Sequence, residues 1–366
     1  MYRSRMILLF ALLLIHIWSF HVSAEIFVDM GSRHVEIPDN PRRVICIGPG
    51  TLRLIVYLNA QDMVVGVEEM EKRFPRGRPY WMAHPELTKL PSIGPGGPQS
   101  INTKPDLEPI LKVKPDVIFV TYMEGKLADE VQKLSGIPVI VLSYGAFATF
   151  GEEILDSLVL AGKILGREER AREIVDYVNS LRKDLISRTT MARGRSNLCV
   201  YVGGIGYRGA HGIESTELNY IPFSWIGIPN CAERLPSRIG SHLFVDKEAL
   251  LRLDPDVIFI DGGGLALVLD DFHKHRKFYR ALKAYKNREI YTLFPFNFYT
   301  TNVETALIDA YAVGKILFPE RFADIDLKKK ADEIYTFFVG ASLYGPMADD
   351  YGALGSNPPF WQEDQN

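Results

Sequence analysis

Arginine and aromatic residues are concentrated in three segments of the chain, and they have the chemistry of a binding site. Guanidinium groups donate paired hydrogen bonds to oxygen anions, and aromatic faces cover the apolar surface of a ligand. This combination predicts a pocket for an anionic ligand, although each aromatic residue taken alone is as well explained by packing at a domain edge. The residues are Arg73, Arg76, Arg78, Tyr80 and Trp81, then Tyr207 and Arg208, and finally Phe294, Phe296, Phe298 and Tyr299.

No sequence pattern of a catalytic centre accompanies these residues. The chain has no Gly-x-Ser-x-Gly elbow, no phosphate-binding loop and no HExxH zinc motif. The glycine runs at 203–206 and 262–264 lack the spacing of nucleotide-binding loops. We therefore expect a binding protein with no cofactor and no metal site of its own. The alternative is an exported hydrolase or reductase that uses His211, Glu214 and Asp261.

The composition predicts a folded protein of two domains. The chain has 366 residues, of which 47% are hydrophobic and 24% charged, and one hydrophobic core rarely organises so long a chain. The net charge of −3 without a large block of one sign argues against nucleic-acid binding. The three cysteines, Cys46, Cys199 and Cys231, are widely spaced. We expect them to be buried free thiols rather than disulfide partners.

The first 24 residues have the features of a cleaved secretory signal. Arg3 and Arg5 precede the apolar stretch Ile7 to Phe20, and Val22-Ser23-Ala24 has the small residues that a signal peptidase accepts. The alternative is a membrane anchor, but the apolar stretch is shorter than the roughly 20 residues that cross a bilayer. No cysteine ends the stretch. We predict a soluble periplasmic protein that begins near Glu25 and has no lipid anchor.

An internal repeat predicts two similar lobes. Residues 104–120, KPDLEPILKVKPDVIFV, and residues 244–260, FVDKEALLRLDPDVIFI, are identical at eight of 17 positions. Each copy predicts a short helix opened by an acidic residue, a Pro-Asp turn and a strand buried on both faces. Unrelated βα units would not readily share the same Pro, Asp and Glu. The predicted fold is α/β, with two Rossmann-like lobes that contain central parallel sheets.

A helical region separates the two copies of the repeat. Apolar residues recur at helical spacing from Ile154 to Leu165 and from Ala171 to Leu185, which predicts a long helix over 167–188. Such a helix can join two lobes as a rigid rod. The predicted segments are a signal peptide 1–24, an N-terminal lobe 25–150, a helical linker 151–190, a C-terminal lobe 191–343 and a loose C-terminal tail 344–366.

Taken together and in this order, the residues resemble the solute-binding proteins of ABC transporters that carry iron–siderophore complexes, haem and cobalamin. The resemblance implies two α/β lobes joined by one long helix, with the ligand between the lobes at the carboxyl ends of the strands. It also implies docking to the permease through one acidic residue on each lobe, here Glu108 and Glu248, which are otherwise ordinary helix-start acids. The matching stretches are 41–68, 90–120, 151–177, 244–260 and 282–319.

The resemblance implies an iron(III)–siderophore type of metal chelate as the ligand, which a monomer delivers to an ABC permease and its ATPase. Haem, cobalamin or a bare metal ion are alternatives, and His211, His242 and Glu214 would be the first ligands to consider for a bare ion. Besides a binding protein and an exported enzyme, a structural or adhesive surface protein is the third functional class that the sequence leaves open. We expect the ligand to contact Arg53, Arg78, Tyr80, Trp81, Tyr122, Tyr207, Arg208, Trp225, Phe296 and Tyr299.

Overall fold

The computed structural model describes residues 24–145, 150–190, 198–206, 209–235 and 240–360. Residues 1–23 of the predicted signal peptide lie outside these ranges, as do Tyr207 and Arg208, two of the residues expected to bind the ligand. Within the described ranges, no helix combines the length and the apolar character needed to cross a membrane.

The N-terminal lobe is built on a parallel sheet whose strands are buried and rich in β-branched residues, as the sequence predicted. The strand order is β4-β3-β5-β6, and β1 and β2 form a separate antiparallel pair. The strands are β1 (Ala24–Val28), β2 (His34–Pro38), β3 (Val44–Ile47), β4 (Val64–Gly66), β5 (Val117–Thr121) and β6 (Val139–Leu142). The helices are α1 (Thr51–Tyr57), α2 (Glu69–Arg73), α3 (Pro79–Met82), α4 (Leu107–Lys112) and α5 (Gly125–Ser135).

Two helices follow the N-terminal lobe, α6 (Glu153–Ile164) and α7 (Glu168–Thr190). Helix α7 has 23 residues, so it is about 35 Å long. Its buried residues recur every three or four positions, from Ala171 through Ile174 and Val178 to Leu185. This spacing places one apolar stripe against the core. The predicted long linker helix is therefore confirmed.

The C-terminal lobe has a parallel sheet in the order β11-β10-β7 and an antiparallel pair, β8 and β9. Its strands are β7 (Val200–Gly203), β8 (Ser215–Glu217), β9 (His242–Phe244), β10 (Val257–Asp261) and β11 (Ile290–Leu293). Its helices are α8 (Ile221–Trp225), α9 (Lys247–Leu253), α10 (Leu265–Lys274), α11 (Arg276–Ala281), α12 (Lys283–Lys286), α13 (Val303–Leu317), α14 (Leu327–Val339) and α15 (Tyr344–Tyr351). Short 3₁₀ helices cover Gln61–Met63, Pro85–Lys89, Pro98–Ser100 and Cys231–Arg234.

The two copies of the repeat form the same corner, in which the Asp of each Pro-Asp pair caps a neighbouring strand. The Asp116 carboxylate accepts a hydrogen bond from the backbone N–H of Arg43 at 2.9 Å. The Asp256 carboxylate accepts one from the backbone N–H of Cys199 at 2.8 Å. Because these bonds join the start of the central strand to the strand beside it, the repeated Asp is required by the fold of each lobe.

The helices that precede the corners also match. Asp106 and Asp246 each cap a helix by accepting a backbone N–H within the first turn. Lys114 and Asp254, one residue before each repeated Pro, have left-handed backbone angles with φ of 47° and 42°. The strands β5 and β10 that follow lie in two different sheets. The prediction of two related lobes is therefore confirmed.

One apolar core crosses from lobe to lobe. It contains Val44 and Phe119 from the first sheet, Val202 and Phe259 from the second, and Ile174 of α7. Two further apolar clusters cover the other faces of the two sheets. The lobes are thus joined by packed side chains as well as by the linker helix. The exact lobe limits predicted at 150, 190 and 343 stay predictions.

The expectation of three free thiols is wrong for two cysteines. Cys199 and Cys231 form a disulfide, with their Cα atoms 5.0 Å apart, whereas Cys46 is free and buried. The fold places the chain before β7 beside the 3₁₀ helix that begins at Cys231. Wide spacing in the sequence did not reveal this proximity.

The expectation of a loose tail is wrong for residues 344–360. Helix α15 begins at Tyr344, and its Met347 is fully buried. Phe360 is also fully buried and stacks on Phe272 with ring centroids 4.5 Å apart. Glycine and proline hide the apolar periodicity here, but single apolar anchors still fix the segment to the C-terminal lobe.

Candidate ligand site

The carboxyl ends of the parallel strands carry the loops that approach the other lobe. In the N-terminal lobe these loops begin at Gly48 after β3, Tyr122 after β5 and Ser143 after β6. From the C-terminal lobe, residues 294–302 after β11 reach across to them. In a two-lobed α/β protein this is the position where a ligand binds, and five of the predicted ligand residues lie at or next to this contact.

Arg53 of α1 is the centre of the contact between the lobes. The side chain is fully buried, and its guanidinium lies 4.8 Å above the ring of Tyr80. All five N–H groups donate to neutral oxygen atoms, so no donor is left for a ligand in this conformation. The acceptors are the side-chain oxygens of Asn302 (2.9 Å) and Tyr144 (3.3 Å) and the backbone oxygens of Thr301 (3.0 Å), Phe298 (3.0 Å) and Tyr299 (3.1 Å).

Arg78 is also occupied by protein acceptors. Its guanidinium forms a buried ion pair with Glu71 and donates to the backbone oxygens of Glu71 and Phe74 and to the hydroxyl of Tyr80. The Tyr80 hydroxyl donates in turn to Glu71 at 2.7 Å. Arg53 and Arg78, two of the three arginines expected to contact the ligand, therefore hold protein segments in place, while the third, Arg208, lies outside the described ranges.

Tyr299 and Thr300 insert into the N-terminal lobe. The Tyr299 hydroxyl donates to Glu68 Oε2 at 2.7 Å and accepts from the backbone N–H of Gly97 at 2.9 Å. The Thr300 hydroxyl lies 2.9 Å from the Tyr122 hydroxyl. Of the residues expected in the site, Arg53 is thus bonded to Tyr299 of the other lobe and Tyr122 to its neighbour Thr300. Tyr80 and Arg78 lie behind Arg53.

The remaining predicted residues are more dispersed. Trp81 is almost fully buried, and the Arg78 guanidinium lies 5.8 Å from its ring. Phe296 packs on Tyr220 inside the C-terminal lobe, with ring centroids 5.3 Å apart. Trp225 contacts Phe150, with ring centroids 5.1 Å apart. The ring contacts of Trp225 and Phe296 are thus with residues other than Arg53, although the Phe296 backbone oxygen accepts from Asn302, which is bonded to Arg53.

Buried carboxyl groups surround the contact, and their ionisation is suppressed. Burial raises the pKa of Glu68 to about 7, against the opposing effect of the Tyr299 hydrogen bond. Burial likewise raises the pKa of Glu304 to about 7, against the opposing charge of Arg53. With pKa values of about 7, each carboxyl is only partly ionised at neutral pH, so each offsets only part of the Arg53 charge.

Several residues of this contact lie in or next to segments that the sequence placed at the ligand site, but they were not among the residues expected to contact the ligand. Glu68, Tyr144 and Thr300 lie at the edges of loops that carry predicted residues, and only their positions after strands could have indicated them. Asn302 precedes α13 and has the type of an N-cap residue, yet its side-chain oxygen accepts from Arg53. A local motif therefore concealed a contact between residues 249 positions apart.

The histidines expected to be the first candidates for a bare metal ion do not form such a site with Glu214. Glu214 is paired with Lys247, and His242 lies 2.9 Å from the Ser215 hydroxyl. Across the described ranges, no group of three or more His, Cys, Asp or Glu side chains is arranged to hold a metal ion.

The comparison with known families matches residues 44–295 to the periplasmic binding proteins. The chain belongs to this family. It is a substrate-binding protein of an ABC importer and not an enzyme, so the hydrolase or reductase alternative is wrong. A protein of this class carries no cofactor, because its ligand is the transported solute. Its relatives work with an ABC permease and ATPase.

Similar proteins share most of their length with this chain. The molybdate-binding protein MolA of Haemophilus influenzae is 24% identical over 350 residues, which cover 88% of this chain and 93% of MolA. Its molybdate-bound structure has a TM-score of 0.68 at 21% identity and covers 87% of this chain and 98% of MolA. The catecholate-siderophore binding protein VctP of Vibrio cholerae has a TM-score of 0.56 at 20% identity, covering 79% of this chain and all of VctP. These similarities show the same fold.

Proposed function

We propose that the protein captures a metal-containing anion between its lobes, and that a small oxyanion of the molybdate type is the ligand. The buried charge of Arg53 carries this proposal. Its guanidinium is fully buried and bonded to neutral oxygens, and the nearby carboxyl of Glu304 has its pKa raised to about 7. The positive charge of a buried guanidinium favours an anion in the cleft, even though its N–H groups are already bonded within the protein.

The close approach of the lobes supports a small ligand. An atom at the Cβ position of Gly50 would lie 2.4 Å from Thr300 Cγ2 and 2.6 Å from the Tyr144 hydroxyl. The C-terminal-lobe loop therefore sits directly on the N-terminal lobe beside Arg53. The similarity to MolA along nearly its full length supports the same ligand class.

A ferric siderophore-type chelate, the ligand expected from the sequence, is the second candidate. The observation that favours it is the parallel pair of aromatic rings from Tyr122 and Tyr144, whose centroids are 6.4 Å apart with an interplanar angle of 16°. Flat aromatic surfaces suit a catecholate chelate. The fold similarity to VctP is compatible with this ligand. A chelate of that size requires a wider separation of the lobes.

Titration calorimetry of the purified protein distinguishes the two candidates. The probes are molybdate, tungstate and sulfate on one side, and a ferric catecholate siderophore, haem and cyanocobalamin on the other. We expect saturable 1:1 binding of molybdate. Binding of the ferric siderophore alone would replace the first candidate by the second, and binding of neither would reject both.

A matched pair of tyrosine variants locates the site. Tyr122→Phe removes the hydroxyl that contacts Thr300, and we expect the affinity for the ligand to fall about fivefold. Tyr291→Phe removes a half-buried hydroxyl bonded to Glu289 on β11, away from the lobe contact. It should leave the affinity unchanged. Equal effects of the two variants would place the ligand elsewhere.

We further propose that Glu108 and Glu248 dock the protein on its permease. Both side chains are exposed, and each occupies the same position in one copy of the repeat. Leu111 and Leu251, one turn further along each helix, are also exposed, by 45% and 38%. Two equivalent patches on two lobes suit a permease that has two equivalent halves.

Binding of the protein to its permease–ATPase complex in nanodiscs tests the docking. Glu108→Gln and Glu248→Gln should each weaken binding several-fold at low salt and less at high salt, because exposed charges are screened. Glu130→Gln, an exposed acid on α5, is the control. If the Glu108 and Glu248 variants bind the permease complex as tightly as the control does, these two acids do not take part in docking.

The disulfide supports export through the predicted signal peptide. Disulfides persist in the periplasm and other oxidising compartments, and they are rare in the cytosol. Mass spectrometry of the protein from the native periplasm should find an N-terminus near Glu25 without lipid. A lipid-modified or uncleaved N-terminus would reject this part of the proposal.

A further inference from the structure

The C-terminal-lobe loop at the lobe contact contains a strained turn. Asn297 and Thr301 form an antiparallel bridge, and the turn residues Tyr299 and Thr300 both have left-handed backbones, with φ of 56° and 65°. This is the φ pattern of a type I′ turn, which strongly prefers Asn-Gly. A bulky and a β-branched residue adopt it only at a cost in conformational energy. The local sequence therefore disfavours the turn.

Contacts from the other lobe hold the turn in this conformation. Arg53 donates to the backbone oxygens of Phe298, Tyr299 and Thr301, which are three of the four turn residues. The Tyr299 and Thr300 side chains bond to N-terminal-lobe groups as well. Tyr122, the partner of Thr300, is itself left-handed with φ of 54°. Three strained residues from two lobes thus meet around one arginine.

Strain that persists at a ligand site is characteristic of a preorganised wall. Because four of the five acceptors of Arg53, including all three in the turn, belong to the C-terminal lobe, its bonds to the turn exist only when the lobes are together. The turn is free to relax once the lobes separate.

We propose that Arg53 is a positioning residue, which holds the Tyr299–Thr300 turn in its strained form. In this way it couples closure of the lobes to the shape of the ligand-facing wall that this turn forms in the C-terminal lobe. This inference depends on the proposed function only for the identity of the ligand.

Amide hydrogen exchange without ligand tests the positioning role directly. Arg53→Lys keeps the charge but loses the planar fork that reaches all five acceptors. We expect the amides of residues 298–303 to exchange about tenfold faster in this variant, while strands β5 and β10 exchange as in the unchanged protein. Arg182→Lys, at a surface pair with Glu152, is the control. Unchanged exchange at 298–303 would overturn the proposal.

A pair of glycine variants separates positioning from stability and keeps the test valid if Arg53→Lys folds poorly. Thr300→Gly removes strain inside the turn, and Lys114→Gly removes strain at a left-handed residue of the N-terminal-lobe corner. We expect both variants to be as stable as the unchanged protein or more stable. Lys114→Gly should leave molybdate binding unchanged. Thr300→Gly should weaken it by about tenfold, which is more than the loss in Tyr122→Phe, because Tyr122→Phe breaks the same hydroxyl contact but leaves the turn preorganised.

The outcomes distinguish this inference from the proposed function. Unchanged affinity of Thr300→Gly, or equal losses in both glycine variants, would contradict the positioning role. Failure of the unchanged protein to bind molybdate would reject the proposed ligand, and the exchange experiment would then decide the role of Arg53.

Discussion

The two lobes have the same backbone where a strand meets the cleft, but different side chains. Gly48 after β3 and Gly204 after β7 have φ of 90° and 80°, and both lie against the last residue of the central strand. That residue is Thr121 in the N-terminal lobe and Asp261 in the C-terminal lobe. Thr121 donates to the backbone oxygen of Pro49 at 2.8 Å, whereas Asp261 is a buried acid that accepts from Gly263.

The segments that follow the two glycines then differ. After Gly48 the N-terminal lobe forms the fully buried helix α1, which carries Arg53. After Gly204 the C-terminal lobe continues to strand β8. The repeated corners build each lobe, and the unrepeated segments after the glycines make the contact between lobes. The repeated Asp residues therefore report on the folding of each lobe, and the unrepeated Arg53 reports on the contact between them.

The largest expected effect is at Arg53, which has no counterpart in the second copy. Arg53→Met leaves the turn carbonyls buried without donors, and we expect the free energy of unfolding to fall by about 3–5 kcal/mol. Urea denaturation measures the change. Arg182→Met, which removes a surface pair, should cost at most about 1 kcal/mol. A similar cost for both variants would mean that the lobe contact is not held by Arg53.

The disulfide fixes the chain just before strand β7 of the C-terminal lobe, and the corresponding position before β3 in the N-terminal lobe has no cysteine. Replacing Cys199 and Cys231 by Ser opens a loop of 32 residues, which should lower the free energy of unfolding by about 3–4 kcal/mol. The same loss should follow reduction by dithiothreitol, measured by urea denaturation. Cys46→Ser changes a buried free thiol and should leave the response to reductant intact. A stability that is insensitive to reductant would contradict the role of the disulfide.

The strand ends should differ in their response to pH. Burial raises the pKa of Asp261 from 3.8 to about 7, so the folded state binds this proton more tightly than the unfolded state. The stabilisation is complete below about pH 4 and is lost as the pH rises through about 7. Asp261→Asn should reduce the loss of stability between pH 5 and pH 8 by on the order of 2 kcal/mol.

Thermal or urea unfolding across this pH range measures the effect. Glu68 and Glu304, whose pKa values are also raised to about 7, should keep a smaller slope of the same sign in the variant. Asp270→Asn, at an exposed pair with Lys274, is the control. If the free energy of unfolding of Asp261→Asn fell more steeply with rising pH than that of the unchanged protein, Asp261 would not be the group whose ionisation destabilises the fold.

The smallest expected effect concerns the corners that the lobes share. Asp116→Ala and Asp256→Ala each remove an acceptor of backbone N–H groups, and each should cost about 1–2 kcal/mol of unfolding free energy. Glu130→Ala, which removes an exposed ion pair, is the control in the same urea titrations. Costs that differ by more than about 1.5 kcal/mol would show that the two corners are not equivalent.

Much of the fold could be predicted because it depends on periodic and repeated local signals. The buried strands, the long helix α7 and the Pro-Asp corners are each encoded within about 25 consecutive residues. The site could be predicted only as a group of loops. The rings of Trp225 and Phe296 have the types of ligand residues but pack on Phe150 and Tyr220, and nothing local distinguishes them from Tyr122 or Tyr299.

The sequence by itself determined the class of fold, the two related lobes and the capping acids, because these follow from hydrophobic spacing and from residues close along the chain. Only the tertiary structure decided the Cys199–Cys231 pair, the anchored tail and the acceptors of Arg53. These contacts join residues from tens to about 250 positions apart. The physical reason is that an exposed binding arginine and a buried structural one have the same local sequence signal, and they differ only in which segment the folded chain places against them.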